Sequence, residues 1–400
     1  MESLYTERAH LMCPDMHFGI LASIPRAYDS GRVRESLAAL QDAHPFLRSL
    51  IAEEDGRMCY RKREDLAVPV SEGTDPLRDY EDFSARGWDV TGECMLRAFV
   101  YPRERDMELL LIAHHLLCDG RGLLQLTEEF ARHYANGGKP AFAEERLIRS
   151  ADDLPAHSTL PFISRVVVRD ANRRWRKEAH RVSYPEYLRF EREYLRANPA
   201  DRAVIEEVKD GAFDEMLSLC KVNGVSVNDY LIAKMMQKRN TGSVLIAADV
   251  RNRLGCYRKG AMGNYSTAFT VKVKDSRAEL FSLAKQVSSA VDGILKHPQK
   301  AFLVLSCYLE MEPELIDAAA ISALGGFDSA SGAFVGKNMF GFASGGSYSL
   351  TNLGRIESDV LTEAMFIPPA SPAAKETWGV LTVNRRMKIC SSARKQAAER

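Results

Sequence analysis

The run 107–113, MELLLIA, is apolar at six of its seven positions and leads straight into His114-His115-Leu116-Leu117-Cys118-Asp119-Gly120. A short run this apolar reads as a strand buried on both faces, because a half-buried strand alternates. Beyond Gly120, Leu123, Leu126, Phe130 and Tyr134 recur at helical spacing. A helix is therefore expected at about 122–135, closed by Asn136-Gly137-Gly138, residues that tolerate the left-handed conformation. A buried strand feeding an amphipathic helix through a tight turn restricts the chain to layered folds in which helices cover a sheet.

The same alternation recurs along the chain. Val33, Leu37 and Leu40 mark a helix at 31–41, ended at His44-Pro45, where the residue before proline is pushed out of the helical region. The second half reads as a strand near 203–208, a helix at 211–222 stopped by Gly224, and a helix at 228–238 capped by Ser226 or Asn228. There follow a buried strand at 244–250, a half-buried strand at 266–274 and a long helix at 275–295. A strand from Ser347 to Asn352 is expected to end at Gly354, and residues 378–383 and 387–391 form a hairpin around Asn384-Arg385. The class is α/β, or α+β, in two lobes. Residues 139–185 mix prolines, charges and the cluster Arg173-Arg174-Trp175-Arg176-Lys177, and read as a partly helical linker. The expected division is a first lobe over 1–140, a linker over 141–185 and a second lobe over 186–400. Gly332, Gly336, Gly341, Gly345 and Gly346 do not follow a phosphate-loop pattern and read as a flexible loop.

Composition narrows the function classes. Lys+Arg equals Asp+Glu at 54 each, so nothing global draws the chain to nucleic acid or to an anionic membrane. The eight cysteines are scattered without a CxxC pair, as expected of reduced thiols in the cores of a cytoplasmic protein. The start shows no basic segment followed by an apolar run, and no stretch approaches the length of a membrane-spanning helix. A soluble cytoplasmic protein is expected, with membrane contact at most peripheral.

Chemistry concentrates at 114–120. If His114 and His115 close a strand, their side chains point to opposite faces, so only one enters a cleft. That weakens a metal-site reading, which needs convergent ligands. Asp119-Gly120 fits a strand-to-helix turn in which Gly120 supplies a positive φ and a close backbone approach. Asp119 then either orients the histidine or binds an arginine that fixes the loop. Cys118 reads as a small apolar filler.

The seven-residue run resembles the HHxxxDG signature of the CoA-dependent acyltransferase superfamily. That group includes chloramphenicol acetyltransferase, the condensation domains of nonribosomal peptide synthetases and bacterial stand-alone alcohol O-acyltransferases. Weaker likenesses follow in the family's order: Leu40–Arg48 (LQDAHPFLR), Gly224–Ala233 (GVSVNDYLIA), Asp249-Val250-Arg251 with Gly263-Asn264, and Thr351-Asn352-Leu353-Gly354. The resemblance implies a two-lobed chloramphenicol-acetyltransferase-like fold, each lobe a mixed sheet flanked by helices, with an active-site tunnel between lobes. It implies His115 as general base, supported by His114, Asp119 and Gly120, with no metal, no bound cofactor and no covalent acyl-enzyme. The donor would be an acyl-CoA or a phosphopantetheine thioester on an acyl carrier protein. The acceptor would be a small-molecule hydroxyl or amine, O-acyl transfer being favoured.

The departures are informative. Condensation domains usually carry an arginine before the histidine of the early motif, where it pairs with the motif aspartate; here that position is Ala43. The partner of Asp119 is then expected from the second half, at Arg251. No Asp-Phe-Gly-Trp-Gly motif occurs, which sets the plant branch aside. The lack of an adjoining adenylation or carrier domain points to the stand-alone O-acyltransferase branch. Thr351, Ser349 and Asn352 are the candidate oxyanion donors. Asp249 is expected to hold local backbone. The Arg173–Lys177 cluster either attracts a CoA phosphate or acidic carrier protein, or is a solvated face. Two rival readings remain: a non-catalytic acyl- or carrier-protein-binding module, for which Ala43 is the one supporting point, and a metallohydrolase holding zinc.

Overall fold

The computed structural model describes residues 2–178, 180–342 and 346–394. Gly345, one of the glycines expected in a loop, lies outside them.

The strand Met107–His114 is the middle of a five-stranded mixed sheet ordered Glu363–Ile367, His17–Ile24, Met107–His114, Leu96–Pro102, Val70–Glu72. It is antiparallel to both neighbours and buried at every residue but Glu108. The helix Gly120–Asn136 follows and packs on the helix Ser30–Ala43 and on His17–Ile24. The Asp29 carboxylate caps Ser30–Ala43, and Gly137 closes Gly120–Asn136 at φ +70°. A second mixed sheet has six strands, ordered Ser266–Lys272, Ser243–Asp249, Ser347–Ile356, Ala374–Val383, Arg386–Arg394, Ala200–Lys209. Ser347–Ile356 runs parallel to both of its neighbours. Phe213, Leu231, Met235, Leu283 and Val287 from three helices bury it together with Val244, Ile246, Val380 and Ile389. Each large sheet therefore has its own apolar core, which makes two lobes. A third sheet joins Glu2–Ser3, Arg57–Lys62 and Ser49–Glu54. Among the described residues, no helix is long and apolar enough to cross a membrane.

Several expected boundaries change. The second-half strand Glu363–Ile367 completes the first sheet, pairing antiparallel with His17–Ile24 so that Phe366 lies opposite Ile20. The division at 186 thus does not follow the sheets: the backbone groups along the open side of His17–Ile24 need a partner, and a late strand supplies it. Residues 141–185 are more than a connection, since the helix Phe162–Lys177 buries Val168, Ala171 and Trp175 in a core shared with Ile316, Ala319 and Val335. Gly332 and Gly336 lie within the helix Ala330–Asn338. A Cβ on Gly336 would stand 2.1 Å from the Ala319 carbonyl oxygen, so these glycines serve a close helix crossing rather than a loop. The long helix begins at Leu280, where the Glu279 carboxylate accepts the amides of Phe281 and Ser282. The strand expected to stop at Gly354 passes through it as a bulge, with φ +83° at Gly354 and a register shift between Asn352 and Arg355.

Candidate active site

The two histidines diverge as the strand geometry requires. The His114 amide donates to the Met95 carbonyl at 2.9 Å and the His115 amide to the Met16 carbonyl at 2.7 Å. The His114 ring is buried edge-on to Trp88, and its Nδ1 accepts the Leu116 amide at 3.2 Å. Burial holds its pKa well below the ordinary histidine value, so it is a neutral packing residue. The half-buried His115 ring turns instead to the junction of the lobes. Its face stacks on His10, with centroids 4.1 Å apart and planes 11° from parallel, and Phe18 meets it edge-on at 4.9 Å.

Asn264, from the second half, fixes the tautomer of His115. Its Nδ2 donates to the His115 carbonyl oxygen at 2.6 Å, and only the amide nitrogen can do so. The Asn264 Oδ1 must then face the His115 Nδ1, 2.9 Å away, which makes that ring nitrogen the N–H donor. The proton sits on Nδ1, and Nε2 is left with its lone pair. Burial lowers the His115 pKa, opposed by the Asn264 bond and by the charge of Asp119, so the ring is neutral near pH 7.

The Asp119 carboxylate is bonded to the turn and not to the His115 ring. Its carboxylate caps the helix Gly120–Asn136 by accepting the Gly122 amide at 2.8 Å. The same Oδ1 accepts Arg251 Nη2 at 2.8 Å, and Oδ2 accepts the Tyr265 amide at 2.9 Å. Arg251 Nε is held by Asp249 Oδ1 at 2.8 Å, so Asp249 steers the arginine as well as accepting its amide. The partner that Ala43 does not supply comes from the second lobe. Beside Ala43, His44 is buried between Glu129 (2.7 Å) and Glu145 (3.3 Å); burial opposes its charge, but the two glutamates raise its pKa to about 9.

Of the two roles expected for Gly120, the close backbone approach is present and the positive φ is not. A Cβ there would lie 2.7 Å from Leu353 Cδ2 and 3.4 Å from Phe366 Cζ, so the glycine allows the turn to approach the second lobe closely. Cys118 is fully buried and its thiol is pushed well above its ordinary pKa, leaving an inert filler.

These residues border a cavity of about 400 Å³ between the sheets, lined by His115, Asp119 and Gly120 from the first lobe and by Ala247, Asp249, Thr351 and Asn352 from the second. Of the three oxyanion candidates, Thr351 and Asn352 line it. Ser349, one pleat back on the same strand, is buried and does not. The Asn352 carboxamide is partly committed: its Oδ1 accepts the Gly354 amide at 2.8 Å. Among the described residues, no group of three or more His, Cys, Asp and Glu side chains is placed to share a metal ion. In the Arg173–Lys177 cluster, Arg173 and Arg174 pair with Asp170 and Arg176 pairs with Glu312, on an exposed helix face.

Comparison with known proteins separates fold from sequence. No family model matches the chain, and no curated protein matches it. Solved structures do. The first condensation domain of the calcium-dependent antibiotic synthetase superposes with a TM-score of 0.59 at 13% identity, covering 98% of this chain and 91% of that one. The fold is that of condensation domains. Polyketide synthase associated protein 5 from Mycobacterium tuberculosis gives a TM-score of 0.58 at 13% identity over 99% and 93% of the two chains. VibH, a condensation enzyme of nonribosomal peptide synthesis, gives 0.52 at 13% identity over 98% and 90%. The two-lobed architecture expected from the motif resemblance is thus present over nearly the whole chain. Within this condensation-domain fold, two residues reach His115 with little local signal: Asn264 enters the sequence reading only through its order after Arg251, and His10 carries no local motif; the packing of distant segments brings them to the ring.

Proposed function

We propose that the protein transfers an acyl group from a thioester to a hydroxyl or amine acceptor, with His115 as general base. The observation that carries this is the Asn264 carboxamide bracketing His115, which leaves a neutral ring with Nε2 available at a cavity between the lobes. His115 Nε2 takes the acceptor's proton as the acceptor oxygen or nitrogen bonds to the thioester carbonyl carbon. The carbonyl oxygen becomes an oxyanion, for which we assign Thr351 as side-chain donor, supported by its place in the cavity wall; Asn352 is the second choice, since its Nδ2 already faces Asn228 Oδ1. Collapse breaks the carbon–sulfur bond, and the imidazolium returns its proton to the thiolate. One ester or amide and one free thiol result. Asp119 and Arg251 act by holding the turn. The donor thioester is carried on CoA or on a carrier protein, and an alcohol acceptor is favoured over an amine. We place the reaction in the cytoplasm.

The test is a panel of acyl-CoAs crossed with alcohols and amines, following free thiol and acylated acceptor by mass spectrometry. Equimolar thiol and acylated acceptor are expected for at least one pair. Thiol release with free acid as the sole product would overturn transfer, and no thiol release from any CoA or carrier-protein donor would overturn the enzyme reading.

A further inference from the structure

A second cavity, of about 710 Å³, adjoins the site and has a different chemistry. Leu245, Phe269, Leu303, Val304 and Phe340 contribute to its wall, as does His10, whose opposite neighbour is the His115 ring. Thr270, Lys300 and Ser371 stand at its border, but the first cavity is the more polar of the two, with Arg121, Asp249, Asn352 and Arg355 beside Phe18, Leu353 and Phe366.

The two spaces lie along the same strands. On Ser266–Lys272, Ser266 borders the first cavity and Ala268, two residues on and on the same face, borders the second. Ala247 is the register partner of Ala268 and borders the first. On Ser347–Ile356, Ser347 borders the second cavity and Thr351 the first. The side chains at the meeting point, Ala247 and Ala268, are the smallest that carry a Cβ. A ligand in the second cavity lies against His10, one ring thickness from His115.

Polar amides of a pantetheine arm would lose hydrogen bonds among the apolar walls of the second cavity, whereas an apolar group gains by leaving water. The volume falls within the range of pockets that enclose a small organic molecule. We propose that the second cavity binds the apolar body of a substrate, so that the enzyme acts on medium-to-long aliphatic or bulky apolar groups rather than on acetyl and short alcohols alone. This rests on the reading of His115 as the base of an acyl transfer. The apolar group belongs either to the acyl chain or to the acceptor, and the two sources are separable.

The experiment is calorimetric titration of the full chain without turnover. One arm compares 1-butanol with 1-octanol; the other compares acetyl-CoA with octanoyl-CoA. Each methylene taken from water contributes up to about fourfold in affinity, so an increase on the order of 10²-fold is expected in the arm that matches the source. Val304→Trp projects a large ring into the cavity and Ala268→Leu narrows its junction; the two together, shown folded by thermal denaturation, should abolish most of that gain. Chain-length-independent binding in both arms, or a gain that survives in the folded double variant, overturns the proposal. Chain-length-dependent binding with no thiol released from any donor would leave the cavity's role standing and remove the acyl-transfer reading instead.

Discussion

At the scale of single residues, the chemistry turns on how one ring is held. His115 has two neighbours that act on it in opposite directions. Burial, to which the stacked His10 contributes, disfavours the imidazolium, while the Asn264 bond and the more distant Asp119 favour it; buried His114 is the remaining titratable group beside it. As the proposed base, His115 must be neutral to work, so activity should be lost as pH falls through its depressed pKa. The acid limb of kcat/KM should therefore lie below the ordinary histidine value of about 6.5. Asn264→Ala removes a bond that raises the pKa and also frees the ring to turn. Its limb should move lower still, while kcat falls about 10²-fold with little change in KM. His10→Ala opens the ring to water and should move the limb the other way. A pH–rate series on the three proteins checks this; limbs that coincide would mean that neither neighbour tunes the base.

At the scale of elements, the turn from Met107–His114 into Gly120–Asn136 is the working part, and it is clamped from the other lobe. Arg251 and Asp119 are both nearly buried. Removing the arginine strands a buried carboxylate, which typically costs about 3–5 kcal/mol. Arg251→Ala should show that loss in denaturant unfolding together with reduced thiol release; full stability would show that the pair does not hold the turn. Much of this level was legible in the sequence because caps and breakers are local. Gly137 and Gly224 end their helices in the left-handed conformation, and Ser226 opens the next one with Asp229 in a reciprocal cap. Asn384 and Arg385, both at positive φ, turn the hairpin as expected. What the local sequence leaves out depends on distant neighbours. Gly120 is small because Leu353 of the other lobe is close, and Gly336 because the Ala319 carbonyl is close. Neither fact leaves a mark in the adjacent sequence.

At the scale of the whole molecule, the lobes are interlocked rather than hinged. Glu363–Ile367 crosses into the first sheet. Buried Asp15 accepts from Arg202 at 3.1 Å and Arg394 at 2.7 Å, and Arg8 pairs with Asp317 at 2.7 Å, joining ends of the chain to its middle. The two-lobed class was readable from strand–helix alternation and from the order of short matches. The crossing strand was not, because an edge pairing depends on which backbone groups lack partners in three dimensions. The helices Pro313–Ala323 and Ala330–Asn338 leave little pattern in the sequence because they interlock by small residues and a close crossing rather than by a wide apolar stripe. With cores bridged in this way, calorimetric heating should give one cooperative transition whose calorimetric and van't Hoff enthalpies agree; two resolved transitions would show independently folding lobes.

The proposal that His115 Nε2 moves the proton is tested most directly by one rate comparison. With a donor and acceptor pair that wild type turns over, free-thiol release is measured for wild type and His115→Ala at pH 7.5, both shown folded by the same thermal transition. A fall of about 10²-fold or more is expected, and a variant that keeps the wild-type rate would contradict His115 as the base.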